Sequence, residues 1–260
     1  MARLDRDGMQ IHYEVTGSGP AVLLTHGFSA SAHMFAGVAA DLADAGHTAV
    51  TWDIRGHAGS DSPADPAAYS AALAVGDMVA VLDAAGVDRA VVLGHSLGGY
   101  LSLELLLAHP GRVRALVLVG TGPGYRQDEA RDDWNRMAER MGAAFETRGL
   151  DALGRSEEVA AGVHRDARGL ALAARGILTQ RDGRVMAALP GIAVPTLVVV
   201  GEHDAPFVGS ARYMAGKIPG ARLAVVPAAG HAPNISQPAA FAAELRSFLT
   251  SLPEEPHDGH

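Results

Sequence analysis

A serine between two glycines is the residue of this sequence whose setting best suits covalent chemistry. Gly94-His-Ser-Leu-Gly98 follows an apolar run, Ala90–Leu93, and precedes a stretch of helical character that begins near Leu97. A Gly-x-Ser-x-Gly sequence in that context forms a sharp turn from strand to helix, which exposes the serine hydroxyl. The helix N-terminus favours negative charge at the same place. We therefore predict that Ser96 is a nucleophile; the alternative is a glycine-rich turn without chemistry.

A nucleophilic serine requires a base and an acid that orients the base. His231 follows the strand-like run Leu223–Val226, and Asp204 follows Thr196–Val200. Loops after the carboxyl ends of strands are where α/β sheets bind ligands, and serine, acid, histidine is a known chain order for such a triad. We predict that His231 accepts the proton of Ser96 and that Asp204 fixes the tautomer of His231. The alternatives are a histidine in a surface loop and an aspartate that caps the next helix. The neighbours most easily confused with the triad are Glu202 and His203.

Acyl transfer also requires two N–H groups that face the negative oxygen of the tetrahedral intermediate. The residue after the nucleophile, Leu97, supplies one such group in this kind of turn. The loop after Ala21–Thr25 contains His26-Gly-Phe28, and the N–H of Phe28 is our choice for the second. His26 is the alternative base, although a hydrogen-bonding scaffold role is the interpretation we favour for it.

Short apolar runs alternate with segments of helical length along most of the chain. Ala67–Ala85 and Leu97–His109 have helical spacing, and the opening hairpin turns at Asp7-Gly8 before a strand at Ile11–Val15. Runs rich in valine and leucine suit parallel strands that are covered on both faces, so the pattern predicts a doubly wound α/β sheet. The strand-like runs are Ala21–Thr25, Ala49–Trp52, Ala90–Leu93, Ala115–Val119, Thr196–Val200 and Leu223–Val226.

The alternation stops between residues 122 and 190, which we predict to be a helical cap inserted into the core. The core then consists of residues 1–121 and 191–252, followed by a flexible polar tail, 253–260. Three helices are predicted in the cap: Arg126–Arg148, Leu150–Val163 and Ala167–Gln180.

One face of the first cap helix carries large apolar side chains at helical spacing. A substrate pocket lined by aromatic residues and methionine suits an apolar group, whereas an apolar stripe on a helix is commonly a packing face. Both interpretations stay open. The residues predicted to bind substrate are Trp134, Met137, Met141, Phe145 and Phe207.

Composition excludes several classes of function. The 260 residues carry a net charge of −8, whereas a nucleic-acid-binding protein shows a basic patch. Without cysteine or a His-Glu-x-x-His motif, neither a disulfide, a cysteine nucleophile nor a metal site is expected. The N-terminus lacks the apolar stretch of a signal peptide, and no run approaches a membrane span. We expect a cytoplasmic protein with a small-molecule substrate, no nucleic acid or membrane partner, and a homo-oligomer as an open alternative.

Five motifs together resemble the α/β-hydrolase family over nearly the whole chain. They are His26-Gly27, Asp53-Ile-Arg-Gly56 with Gly59-Ser60, Gly94-His-Ser-Leu-Gly-Gly99, Gly201-Glu-His-Asp204 and Gly230-His231. The resemblance implies an α/β-hydrolase fold: a mostly parallel, eight-stranded sheet flanked by helices, with a helical cap and without a cofactor. It also implies structural roles for Asp53 and Arg55.

Two details of the resemblance bear on the branch of the family. The stretch Gly230-His-Ala-Pro-Asn-Ile-Ser-Gln-Pro238 is similar to that of enol-lactonases and other small-substrate esterases, although the His26-Gly27 pair departs from the enol-lactonase pattern. Epoxide hydrolases and haloalkane dehalogenases carry aspartate where Ser96 stands.

The resemblance and the predicted triad favour a serine hydrolase that cleaves a small ester, thioester or lactone through an acyl-enzyme on Ser96. Two alternatives use the same fold for other chemistry: a hydrolase of carbon–carbon bonds in meta-cleavage products, and a cofactor-free haloperoxidase or perhydrolase. A third, which is not an enzyme, is a ligand receptor on this fold.

Overall fold

The computed structural model describes residues 2–253, so Met1 and all of the predicted tail except Pro253 lie outside the described residues. One sheet of eight strands forms the centre, in the spatial order β1-β2-β4-β3-β5-β6-β7-β8. β2 pairs antiparallel with β1 and β4, and all other pairs are parallel. The predicted α/β-hydrolase fold is confirmed. The strands are β1 Ala2–Arg6, β2 Met9–Gly17, β3 Ala21–Thr25, β4 Thr48–Trp52, β5 Ala90–His95, β6 Val113–Val119, β7 Thr196–Gly201 and β8 Arg222–Val226.

Ten α-helices and several 3₁₀ turns connect these strands within the described residues. The first and last helices cover one face of the sheet, and α2, α3 and α8 cover the other. The helices are α1 Ala36–Asp44, α2 Ala71–Ala84, α3 Leu97–Ala108, α4 Asp128–Arg148, α5 Glu157–Ala160, α6 Ala167–Gly176, α7 Arg184–Ala188, α8 Ala205–Lys217, α9 Pro233–Ser236 and α10 Pro238–Thr250.

Alternate side chains of the central strands point to opposite cores. Val91 and Leu93 of β5 join the cluster under α1 and α10, whereas Val92 joins the cluster under α2 and α3. Apolar residues at consecutive positions are thus all buried, which is why these strands have near-continuous valine and leucine rather than an alternating pattern. No helix between residues 2 and 253 is long and apolar enough to cross a membrane.

The predicted hairpin at the start of the chain is also confirmed. Asp7 and Gly8 have φ angles of 57° and 82°, so both central residues of the turn are left-handed. That is the pattern of a type I′ turn, which matches the twist of the two strands it joins.

The strands are interrupted between β6 and β7, and the predicted insertion, 122–190, falls within this segment. α4 and α6 form its main pair. The prediction of a helix over Leu150–Val163 is wrong, because only a 3₁₀ turn, Gly149–Ala152, and the four residues of α5 are helical there. Gly154 and Gly162 both lie in this stretch, and glycine is a poor helix former.

The turn from β5 to α3 is closely packed against β3. A Cβ atom built on Gly98 would overlap the carbonyl oxygen of Thr25, and one built on Gly94 would overlap the carbonyl oxygen of Gly98. The first turn of α3 therefore touches the end of β3 backbone to backbone. Only glycine at these two positions lets the residue between them, Ser96, lie at the carboxyl edge of the sheet.

This contact predicts a large effect of one added methyl group. Gly98→Ala should lower the free energy of unfolding by about 3 kcal/mol, since neither backbone can move without disturbing the sheet. Gly209→Ala is a matched control, because the space around Gly209 in α8 is open, and it should raise stability by up to about 1 kcal/mol through helix propensity. Urea unfolding of both variants measures the difference. A Gly98→Ala protein as stable as the control variant would contradict this account of the turn.

Candidate active site

Ser96 has the strained backbone of a residue held in place by its surroundings. Its φ of 51° and ψ of −113° are unfavourable for a side chain with a Cβ. The N–H of Ser96 donates to the carbonyl of Val119 at 2.9 Å, and the hydroxyl of Thr121 donates to the carbonyl of Ser96 at 2.7 Å. Both partners come from the end of β6, which thereby fixes the serine. Sequence reasoning did not identify Thr121, whose role depends on a contact between strands.

His231 and Asp204 are joined by a hydrogen bond of 2.8 Å between Nδ1 and Oδ2. Asp204 lies at the start of α8, but its side chain makes no cap hydrogen bond to that helix. It is 4% exposed, so the carboxylate is shielded from water. Accepting from Nδ1 leaves Nε2 of His231 as the nitrogen available to a nucleophile.

The two neighbours of Asp204 have other surroundings. The carboxylate of Glu202 accepts the N–H of Ala228 at 2.9 Å. The side chain of His203 is 67% exposed and lies 3.8 Å from that carboxylate. Within the described residues, therefore, only Asp204 pairs with the ring of His231.

Two aromatic rings hold the imidazole of His231 between them. Phe207 stacks on it with ring centroids 4.9 Å apart, and His95 meets it edge-on at 4.7 Å. Nε2 of His95 donates to the carbonyl of His231 at 3.0 Å. Burial lowers the pKa of His95 to about 3, so this ring stays neutral and acts as a fixed donor. The sequence motif gave His95 no role, although it lies directly before Ser96.

The N–H groups of Phe28 and Leu97 have no hydrogen-bond acceptor within residues 2–253. Leu97 begins α3, where the first N–H groups have no partner in the helix. The loop that carries Phe28 lies beside the serine, since a Cβ on Gly27 would be 3.1 Å from Cβ of Ser96. Neither N–H group thus has an acceptor in the described residues, which the predicted oxyanion role requires.

Two buried histidines hold the loop after Phe28. Ser29 has a positive φ of 56°, and its N–H donates to Nε2 of His57 at 3.2 Å. Nε2 of His164, in the inserted segment, donates to the carbonyl of Ser29 at 2.8 Å. Burial lowers the pKa of both histidines, so both are neutral. Sequence reasoning found neither residue.

His26 is a scaffold residue, as the sequence analysis favoured. Its Nδ1 donates to the carbonyl of Gly27 at 2.7 Å, and its Nε2 accepts the N–H of Ile54 at 3.0 Å. Both ring nitrogens are occupied, so neither can act on a substrate. Burial lowers the pKa of His26 to about 4 despite the attraction of nearby Asp53.

Asp53 and Arg55 hold backbone and helix in place. The carboxylate of Asp53 accepts the N–H of Ala32 at 2.7 Å and that of Gly59 at 3.0 Å. Nε and Nη2 of Arg55 each donate to one oxygen of buried Asp77 at 2.7 Å, which ties this loop to α2. The roles that the family resemblance implied for these two residues are the ones their contacts support.

A cavity of about 480 Å³ lies in front of Ser96 and His231. It lies between the carboxyl edge of the sheet and the inserted segment. Phe145 is not part of its lining; this residue is 4% exposed, and its ring packs 6.1 Å from that of Phe28. The predicted residues that do line the cavity are Phe28, Leu97, Trp134, Met137, Met141 and Phe207.

Several polar residues of the inserted segment also line the cavity and were not predicted, among them Gln180 and Glu158. Gln180 is buried, and its Oε1 accepts the N–H of Tyr125 at 3.2 Å. Glu158 is 8% exposed. A glutamate in a short, irregular segment gives no sequence signal that separates it from a surface residue.

A second, more open cleft of about 730 Å³ lies beside the N-terminal hairpin. Its lining contains several arginines and none of the predicted catalytic residues, whereas Ser96 and His231 line the cavity described above. No group of three or more histidine or acidic residues among residues 2–253 is arranged to hold a metal ion.

Comparison with known proteins gives relatives that are similar over nearly the full chain. A sequence profile described as the alpha/beta hydrolase fold matches residues 20–167. A protein of Variovorax paradoxus (strain S110), provisionally named carbamate hydrolase RutD, is 31% identical over 94% of this chain and 97% of its own. A Bacillus subtilis (strain 168) protein, provisionally named 2-succinyl-6-hydroxy-2,4-cyclohexadiene-1-carboxylate synthase, is 28% identical over 93% of this chain and 96% of its own.

Solved structures are also similar to this chain over nearly its full length. The enol-lactonase from Burkholderia xenovorans LB400 superposes with a TM-score of 0.77 at 26% identity, over 96% of this chain and 100% of that one. Some matches are shorter: that to epoxide hydrolase 3 of Siraitia grosvenorii spans 44% of this chain and 36% of that protein, at 35% identity.

The buried neutral histidines predict a loss of stability in acid. For His26 the folded pKa of about 4 lies below the ordinary value of 6.5, so between these values the unfolded chain binds a proton that the folded chain does not. The contribution of His26 to the free energy of unfolding is therefore largest above about pH 6.5. Between pH 6.5 and the folded pKa of about 4 it falls by about 1.4 kcal/mol per pH unit. Urea unfolding between pH 4.5 and 7.5 measures this slope.

His26→Gln should reduce the slope of unfolding free energy against pH by about 1.4 kcal/mol per pH unit, which corresponds to one proton. This holds whether or not the substitution changes stability at pH 7.5. His33→Gln is the control, because His33 is exposed, and it should leave the slope unchanged. An unchanged slope in the His26→Gln protein would mean that the buried ring is protonated in the folded state.

Proposed function

This chain belongs to the alpha/beta hydrolase family, and we propose that it is a serine hydrolase that cleaves a small ester, thioester or lactone. One observation carries the proposal: His231 makes a hydrogen bond of 2.8 Å to buried Asp204 and lines the same cavity as Ser96 on its strained turn. A base, its orienting acid and an exposed hydroxyl are the parts that nucleophilic acyl transfer needs.

In the first half of the proposed reaction, Oγ of Ser96 attacks the carbonyl carbon of the substrate, and its proton passes to Nε2 of His231. The carbonyl oxygen becomes negative and accepts the N–H groups of Phe28 and Leu97. Asp204 stabilises the imidazolium through Nδ1. The bond to the leaving oxygen or sulfur then breaks, and His231 returns the proton to that atom. The product is an acyl-enzyme on Ser96.

In the second half, water attacks the acyl carbon and gives a proton to His231. The new tetrahedral intermediate uses the same two N–H groups, and its collapse restores the hydroxyl of Ser96 and releases the acid. Because His95 is a fixed neutral donor to the carbonyl of His231, the base is held in one place through both halves.

The lining of the cavity supports a small substrate with apolar parts. None of its described residues is a lysine or an arginine, so an anionic substrate would lose its hydration without gaining a cationic partner. The product named for the Bacillus subtilis relative carries a carboxylate, which this lining does not favour. The lactone and the carbamate in the names of the other two proteins share a carbonyl group with the proposed substrates.

Covalent labelling tests the nucleophile. A fluorophosphonate probe should modify the protein once, at Ser96, and Ser96→Ala should abolish labelling and lower kcat by about three powers of ten or more. Ser210→Ala removes another hydroxyl from the cavity lining and should still be labelled. Intact-protein mass spectrometry with peptide mapping measures the label. Labelling that survives Ser96→Ala would contradict the assignment.

The inserted segment should contribute to substrate choice through the residues that line the cavity. Met137→Ala should change kcat/KM unequally across p-nitrophenyl esters of increasing acyl length, by about 1–3 kcal/mol where a contact is lost. Phe145→Leu is the comparison, since Phe145 packs outside the cavity. It should lower the melting temperature and change all esters by one factor. If Met137→Ala instead changes kcat/KM by the same factor for all esters, Met137 is a packing residue and does not select the substrate.

A further inference from the structure

Glu158 is an acidic residue enclosed in the cavity of the candidate site. It lies in the four-residue helix α5, 8% exposed, and lines the same cavity as Ser96 and His231. Its neighbour Glu157 is exposed to solvent instead. α5, which carries Glu158, packs against α9, the short helix that follows His231.

Every other buried carboxylate in residues 2–253 has a partner. Asp53 pairs with His12 at 2.9 Å, Asp77 with Arg55 at 2.7 Å and Asp204 with His231 at 2.8 Å. Glu104 accepts the hydroxyl of Tyr100 at 3.0 Å and pairs with Arg184 at 2.5 Å.

Glu158 is the exception: within the described residues its carboxylate makes no hydrogen bond and no ion pair. A carboxylate that is largely buried and reaches solvent only through a cavity is poorly hydrated, so a cation bound beside it in the cavity is favoured. The neighbouring Gln180 already uses its Oε1 to accept the N–H of Tyr125, and no lysine or arginine is present in the described lining. A positively charged partner for Glu158 would therefore be a group bound in the cavity.

We propose that Glu158 is a binding residue for a positively charged substrate group, and that the enzyme prefers esters carrying an ammonium group. This inference rests on the proposed function. The remaining lining fits it, because aromatic side chains surround the cavity and their ring faces attract cations. The aromatic residues of the lining are Phe28, Tyr100, Tyr125, Trp134 and Phe207.

Glu158 is thus assigned to specificity and not to the chemical step. Its charge is present before and after acyl transfer, so it strengthens binding of the cation in the ground state and the transition state alike. Removal of the charge should therefore raise KM for cationic substrates relative to that for neutral esters of the same shape.

Pairs of esters that differ in charge and not in shape test the proposal. Choline butyrate and 3,3-dimethylbutyl butyrate place the charge in the alcohol. The p-nitrophenyl esters of 4-(trimethylammonio)butyrate and 5,5-dimethylhexanoate place it in the acyl group. In at least one pair the cation should have a kcat/KM about tenfold higher. Glu158→Gln should abolish that preference, and Glu157→Gln should keep it.

Two outcomes would overturn the proposal: equal kcat/KM within both pairs, or an equal loss of preference in the Glu157→Gln and Glu158→Gln proteins. The amide has the same shape as the acid, and thermal melts of both variants check that they fold.

Binding to the Ser96→Ala protein separates this proposal from the proposed function. Calorimetric titration with choline and with 3,3-dimethylbutanol, and with the two free acids that correspond to the acyl pair, compares affinities without catalysis. If no ester is hydrolysed but a cation binds more tightly through Glu158, the proposed function fails and the cation site stands. If esters are hydrolysed and no cation is preferred in binding or turnover, the site fails and the hydrolase stands.

Discussion

Ser96 can present its hydroxyl above the sheet only while its backbone is held at a φ of 51° and a ψ of −113°. Such a conformation costs on the order of 1–3 kcal/mol and persists where surrounding contacts outweigh it. Here they do so from three directions: Val119 and Thr121 at the end of β6, the end of β3 against Gly98, and α3 itself. The same turn carries Leu97, a proposed oxyanion donor, so the strain at Ser96 and the position of this N–H group share one cause.

Burial decides the charge of the histidines around this turn. Asp53 lies 2.9 Å from His12 and 3.9 Å from His26, and its charge favours protonation of both. The hydrogen bond to Asp53 raises the pKa of half-buried His12, whereas burial lowers that of fully enclosed His26. For His26 desolvation outweighs the attraction. The loop that carries Phe28, a proposed oxyanion donor, is therefore supported by neutral rings, which hold its backbone in place without adding a positive charge to the site.

Sequence patterns predicted the features that depend on local residue order, and they missed the features that depend on tertiary contacts. Consecutive valine and leucine residues mark strands buried on both faces, so they predicted the runs that form β3, β5 and β7. The glycines around Ser96 predicted the turn from strand to helix that the structure shows there. The prediction of a helix over Leu150–Val163 was wrong because it relied on the spacing of apolar residues. That spacing does not show how much the glycines in the segment weaken a helix. Phe145 shares a helical face with Met137, yet the stripe is wide enough to serve both the cavity and the core. The roles of His164 and Glu158 depend on where an irregular segment docks, which periodicity does not encode.

Chemistry and charge selection lie on separate parts of the chain. Around the triad, the cavity surface contributed by the sheet and its loops is formed by neutral side chains such as Phe28 and Leu97, and the negative charge of Asp204 is already shared with His231. A fixed charge that could discriminate between substrates is therefore supplied by the inserted segment, through Glu158. The inserted segment contacts the loop that follows Phe28 through a neutral ring, that of His164. Substitutions at Glu158 can therefore change which substrate charge is preferred without changing the charges near the substrate carbonyl group. Selectivity in this cavity can thus change through the insertion while the turn at Ser96 stays as it is.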